Sequence, residues 1–168
     1  MIYRILSERI EKTKKSVLIL GPRQVGKSTL IKSLKPELSI NLAFEQTYLE
    51  ILSRPQHLVD LIETAEVKRI FIDEIQRIPS VFDTVQALID DNPKLKFYLT
   101  GSNARKLKRG GANLLPGRVI NVQMGPIILK ELDYKCDLES LLAFGSLPGP
   151  LTTKNRLEKE QVLASYSQ

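Results

Sequence analysis

The chain has 168 residues, 42% of them hydrophobic and 26% charged, which suits one compact domain and excludes collagen-like, coiled-coil and intrinsically disordered chains. No apolar run approaches the ~18 residues of a membrane helix, and the first dozen residues carry Arg4, Glu8, Arg9 and Glu11 among their apolar positions, so neither a membrane span nor a secretory signal is expected. A single cysteine, Cys136, excludes an internal disulfide and makes a cytoplasmic home the expectation.

Ile2, Ile5, Leu6 and Ile10 share one helical face, which predicts an amphipathic helix within residues 1–15. SVLIL (Ser16 to Leu20) is continuous and apolar and ends at Gly21-Pro22, the pattern of a fully buried strand. A helix is predicted from Gly26 to about Leu34, stopped by Pro36, and LSINLA forms a second, weaker strand. Phe44 to Ala65 is helical in pattern, with Pro55 as a break or first-turn residue and Leu58, Leu61, Ile62 and Ala65 as its stripe. RIFID (Arg69 to Asp73) is the third strand. Ser80 with Asp83 three residues on predicts a capping box that opens a helix with Val81, Val85, Leu88 and Ile89 facing inward. KFYLT (Lys96 to Thr100) and RVINVQM (Arg118 to Met124) are the fourth and fifth strands. Beyond Pro126 the pattern gives two short helices, a Gly/Pro-rich FGSLPGP connection and a last helix from about Lys154.

Strands separated by helical crossovers imply an α/β fold, a parallel sheet with helices on both faces. The expected organisation is an N-terminal helix at 1–15, a core at 16–125 and a helical extension at 126–168. In such sheets ligands sit beyond the carboxyl ends of the strands, and every chemically suggestive segment lies at such an end.

GPRQVGKS, Gly21 to Ser28, matches G-x-x-x-x-G-K-[ST] between a predicted strand and a predicted helix, the context that a phosphate-binding loop requires. Gly21, Pro22, Arg23, Gln24, Val25, Gly26, Lys27, Ser28 and Thr29 form the candidate cradle, every one but Pro22 with a backbone N–H to offer. Lys27 would supply charge at the β/γ-phosphates and Ser28 a hydroxyl for Mg²⁺. Arg23 either touches phosphate or braces the loop. IFIDE delivers Asp73 and Glu74 at a strand end, 46 positions after Lys27. Asp73 suits the Mg²⁺ shell, and Glu74 suits orienting or deprotonating an attacking water. At the tip of the fourth strand, Ser102 or Asn103 can sense the γ-phosphate.

Charge is uneven along the chain. Residues 1–40 carry a net +6, 41–91 a net −6, 92–130 a net +8 with no acidic residue, and 131–168 a net −2. The basic segment 92–130 attracts either nucleotide phosphate or a nucleic-acid backbone. Within it, Arg105, Lys106, Lys108 and Arg109 read as a solvated loop or a contact surface, and Arg118 as a phosphoryl-transfer arginine or one half of an ion pair. His57 and Cys136 lack neighbours that would make a metal or thiol centre.

With GPRQVGKST, IFIDEIQRIP, LTGSNARKLKRGGANLLPGR, MGPIILKEL and FGSLPG in this order, the chain resembles a family of prokaryotic AAA-type predicted ATPases. The resemblance covers almost the whole chain. It implies a P-loop NTPase core of AAA+ type with five parallel strands, a Walker A lysine at Lys27, Walker B carboxylates at Asp73 and Glu74, and a sensor at Ser102 or Asn103. Members of that family continue into a further domain, so the chain is expected to be part of a longer protein. The leading expectation is an ATPase using ATP and Mg²⁺, with Glu74, Lys27, Ser102, Asn103 and Arg118 in the chemistry. The alternative is a nucleotide-dependent switch with negligible hydrolysis. A homo-oligomer and a nucleic acid are the candidate partners, and no membrane is. A translocase lacks room for a second motor domain, a GTPase lacks N-K-x-D, and no acceptor pocket for a small-molecule kinase is legible.

Overall fold

All five apolar segments form strands. The computed structural model describes residues 2–102, 115–153 and 155–165. β1 (Ser16–Leu20), β2 (Leu38–Asn41), β3 (Arg69–Asp73), β4 (Lys96–Gly101) and β5 (Val119–Gln123) pair in parallel throughout, in the order β2-β3-β4-β1-β5. β1, β3 and β4 bury both faces, while β2 and β5 lie at the edges and are partly exposed. β1 is buried at all five positions, as a strand with neighbours on both edges and helices on both faces must be.

Alternation along the strands builds two cores. Leu18, Leu20, Ile70, Ile72, Phe97 and Leu99 point to one face. There they meet Ile51 of α3 (Glu45–Ser53), Leu58 and Ile62 of α4 (Gln56–Ala65), and Phe82 and Val85 of α5 (Val81–Asp91). Val17, Ile19, Phe71, Tyr98 and Val122 point to the other face, against Ile10 of α1 (Ile5–Lys12) and Leu30 and Ile31 of α2 (Lys27–Ser33). The result is the expected three-layer α/β/α arrangement, in which each fully buried Leu, Ile or Phe contributes ~1.5–3 kcal/mol. Lys96 ties α1 to the sheet, its Nζ donating to the carbonyls of Ile10 (3.0 Å) and Thr13 (2.6 Å) at the helix end.

As expected, Pro55 breaks the stretch 44–65 into two helices: Arg54, preceding proline, sits at φ −138°, and Pro55 then opens α4, since a residue before proline is pushed out of the helical region. Three local expectations are corrected. The α4 stripe ends at Ile62; Leu61 is half-buried and Ala65 exposed. Ser80 does not form a capping box, because its backbone is helical and its side chain makes no cap bond. The amides of Val81, Phe82 and Asp83 are instead taken by the carbonyls of Ile78, Pro79 and Ser80 at 3.0–3.1 Å. The extension holds α6 (Leu138–Phe144), α7 (Pro148–Thr152) and α8 (Arg156–Ala164). Thus the FGSLPGP connection itself contains a helix, with Pro148 in the first turn where its missing N–H costs nothing.

β1 connects onward to β2 at one sheet edge, while β5 lies on the other side of β1. The strand order reverses there, and the crevice beyond the carboxyl ends of β1, β4 and β3 is where the fold places a ligand.

Candidate functional site

The loop after β1 is shaped by three backbone requirements. Gly21 is needed for packing: a Cβ there would lie 2.0 Å from the carbonyl oxygen of Met124, just past β5. Its glycine is dictated by that neighbour. Gln24 (φ 62°) and Gly26 (φ 94°) are both left-handed, and Gly26 then leads into α2, accepting from the Leu30 amide at 2.9 Å. Val25 lies between them with its side chain fully buried in the core, so only its backbone faces the loop.

Lys27 is 5% exposed. Its Nζ donates to the carbonyls of Gly21 (2.8 Å) and Pro22 (2.7 Å). Burial pushes its pKa below the usual lysine value, opposed by the attraction of Glu74 and Asp73. Ser28 donates its hydroxyl to Asp73 Oδ1 at 2.9 Å. The same oxygen accepts from Thr100, a fully buried residue of β4 that sits between β1 and β3 in the sheet. Thus Lys27, Ser28 and Asp73 converge because their strands end at one level.

Glu74, past the end of β3, is left-handed (φ 58°), and this turn directs its carboxylate away from Asp73 toward the tip of β4. Glu74 Oε2 accepts from Gln76 Nε2 and from the Ser102 hydroxyl at 3.2 Å. Gln76 Nε2 also reaches Ser102 Oγ at 2.9 Å. Gln76 is 7% exposed, and its Oε1 is buried without a partner among the described residues. Arg77 donates to the carbonyls of Leu42 (2.7 Å) and Ala43 (2.9 Å) and to Glu45 (3.0 Å), fixing the β2–α3 turn beside the site. These groups line a cleft of about 1070 Å³ that also includes Arg23, Thr29 and Pro148. A second, more apolar cavity of about 420 Å³ adjoins it through Gly26, Thr29 and Pro148 and is walled by Ile2, Val25 and Ile127.

The cleft brings together Lys27, Ser28, Glu74 and Ser102, with Asp73 buried directly behind Ser28. Asn103 and the charges Arg105, Lys106, Lys108 and Arg109 lie outside the described residues. Arg118 is not brought to the cleft. It precedes β5, whose first residue Val119 pairs with Ser16 at the start of β1, so it is separated from Gly21 by the length of a strand, roughly 16 Å at 3.3 Å per residue. There it holds Asp90 with both Nε (2.6 Å) and Nη2 (2.8 Å). Thr100 and Gln76 were missed in the sequence. A threonine ending an apolar strand beside a candidate carboxylate strand was the only available signal for the first.

Among the described residues no group of three or more His, Cys, Asp and Glu gathers as a metal site. One carboxylate with an adjacent hydroxyl suits Mg²⁺, which keeps waters and takes its remaining ligands from substrate phosphates. No helix among the described residues is long and apolar enough to cross a membrane.

A profile of the AAA domain family matches residues 13–133. The chain belongs to this family. It is 28% identical over 144 residues to "Uncharacterized protein Mb2031c" of Mycobacterium bovis, covering 83% of this chain and 31% of that protein. Among solved structures, Pif1 helicase from Candida albicans matches with a TM-score of 0.50 at 16% identity, over 80% of this chain and 42% of the other. A structure of two coordinating Pif1 helicases at forked double-stranded DNA matches with a TM-score of 0.51 at 13% identity, over 98% and 52%. The AAA domain described here therefore has the P-loop NTPase fold, and it spans about a third of the curated relative and about half of the solved chains.

Proposed function

We propose that this AAA domain binds ATP with Mg²⁺ and hydrolyses its terminal phosphoanhydride. The observation that carries the reading is the convergence of Lys27, Ser28 and Asp73 at one end of the sheet, with Glu74 held apart from them by its own turn. Amides of the 21–29 loop receive the phosphates, and Lys27 exchanges the carbonyls of Gly21 and Pro22 for phosphate oxygens. Ser28 and Asp73 would hold Mg²⁺, which would supply positive charge to the phosphoryl oxygens. Glu74 takes the proton of the attacking water, and Ser102 keeps that carboxylate aimed. The apolar cavity beside Gly26 and Thr29 suits the nucleobase. The unit so defined is the core at 16–125, with Ile2 of the N-terminal segment and Ile127 and Pro148 of the extension lining the adjoining cavity.

A second reading, a switch that binds ATP and hydrolyses it negligibly, is favoured by one feature. Gln76 and Ser102 both occupy Glu74 Oε2, and an oxygen already engaged by two donors leaves less room for an attacking water. Arg118 can meet phosphate only on another copy of the chain, and its bidentate pair with Asp90 supports a structural role. Lys96, engaged with α1, and Arg118, engaged with Asp90, are both unavailable to a nucleic-acid backbone.

Calorimetric binding of ATP and phosphate release, measured on one preparation with and without Mg²⁺, test the proposal. Saturable binding with Mg²⁺-dependent release is expected. Binding without release selects the switch, and absence of binding overturns both readings.

A further inference from the structure

Arg4 stands just before α1 and, in the sequence, is only a charge interrupting an apolar face. In the structure it is 9% exposed and its guanidinium joins three distant segments. Nη1 donates to the carbonyl of Val25 at 2.8 Å, inside the phosphate loop. Nη2 donates to the carbonyl of Gly125 at 2.8 Å, just past β5. Nε donates to Glu131 Oε1 at 3.1 Å. Glu131, whose side chain is 5% exposed, also accepts from the amides of Ile5 (3.0 Å) and Ile128 (3.2 Å).

Burying such a pair is a poor route to stability, since well-packed apolar residues of similar volume serve as well or better. Its geometry explains its presence. Val25 lies between two left-handed residues, Gln24 and Gly26, so its peptide orientation decides whether the loop presents Lys27 and the following amides toward the cleft. A planar fork can hold the Val25 and Gly125 carbonyls and a carboxylate at once, and a lysine ammonium cannot match that arrangement.

We propose that Arg4, held by Glu131, is a positioning residue for nucleotide binding: it fixes the Val25 carbonyl and thereby the phosphate-receiving shape of the loop, and it ties that loop to the start of the 126–168 segment. The proposal rests on the reading of this cleft as a nucleotide site.

The test compares the 168-residue chain with Arg4→Lys, Glu131→Gln and a control, Lys96→Met. Lys96 holds the same N-terminal segment through Ile10 and Thr13 but touches no part of the loop. Each chain is titrated with Mg·ATP and with inorganic tripolyphosphate, well below its own melting temperature. Arg4→Lys is expected to weaken both ligands alike by about tenfold, the size of losing a charge-assisted hydrogen bond. Glu131→Gln, which keeps the side-chain shape, is expected to weaken them by about threefold, and it carries the comparison if Arg4→Lys does not fold. Lys96→Met is expected to lower the melting temperature with both affinities unchanged. Parent-like affinity in a folded Arg4→Lys chain overturns the proposal, and so does an equal loss in Lys96→Met or a loss confined to ATP. Failure of the parent itself to bind either ligand overturns the nucleotide reading instead, and is visible before any variant is made.

Discussion

Lys27→Ala is expected to weaken Mg·ATP binding by about 100-fold or more while the chain stays folded. The ammonium meets phosphate with a full charge, and each charge-assisted hydrogen bond it forms contributes ~1.5–3 kcal/mol. Two such bonds convert to two or more decades in affinity. The folded chain loses less, because the contacts removed are ordinary bonds from Nζ to the Gly21 and Pro22 carbonyls, and deleting a lysine whose burial already disfavours its charge relieves part of that cost. A titration beside a thermal melt separates the two effects. Affinity equal to the parent's would remove the phosphates from this loop.

Glu74→Gln is expected to do the reverse, leaving ATP affinity near that of the parent and lowering phosphate release by about 10²–10⁴-fold, the usual contribution of a positioned general base. An amide keeps the shape and an oxygen for Gln76 and Ser102, so the turn at Glu74 and the cleft wall persist. It cannot take a proton. Single-turnover phosphate release gives the comparison, and undiminished release would assign the base to another group.

Most of the architecture was legible because two periodicities carried it. The five strands were apolar runs bounded by Gly, Pro or charge, and the loop was identified by spacing alone. Legibility ended where the deciding contact lies far away in sequence. Nothing local to Ser80 shows that the turn at Ile78–Ser80 supplies its own carbonyls, or that Phe82 is fully buried beside Val81 and Val85. The need for glycine at position 21 comes from Met124, which is brought alongside only when β5 pairs with β1. Thr100 and Gln76 acquire meaning from Asp73 and Glu74 across neighbouring strands. Arg4 acquires its meaning from Val25, Gly125 and Glu131. Arg118 was equally ambiguous in sequence, and its position before β5, beside Asp90, separates it from the 21–29 loop of the same chain.

The central claim is that the 21–29 loop and the carboxylates of Asp73 and Glu74 form one nucleotide site. A crystal structure of the chain with Mg²⁺ and a non-hydrolysable ATP analogue tests it most directly. The account predicts the β- and γ-phosphates against the loop amides, with Lys27 Nζ moved from the Gly21 and Pro22 carbonyls onto phosphate oxygen. It also predicts Mg²⁺ between Ser28 and Asp73, and the base beside Val25 and Ile127. An analogue bound elsewhere, or bound in the cleft with Lys27 still donating to the two loop carbonyls, would contradict it.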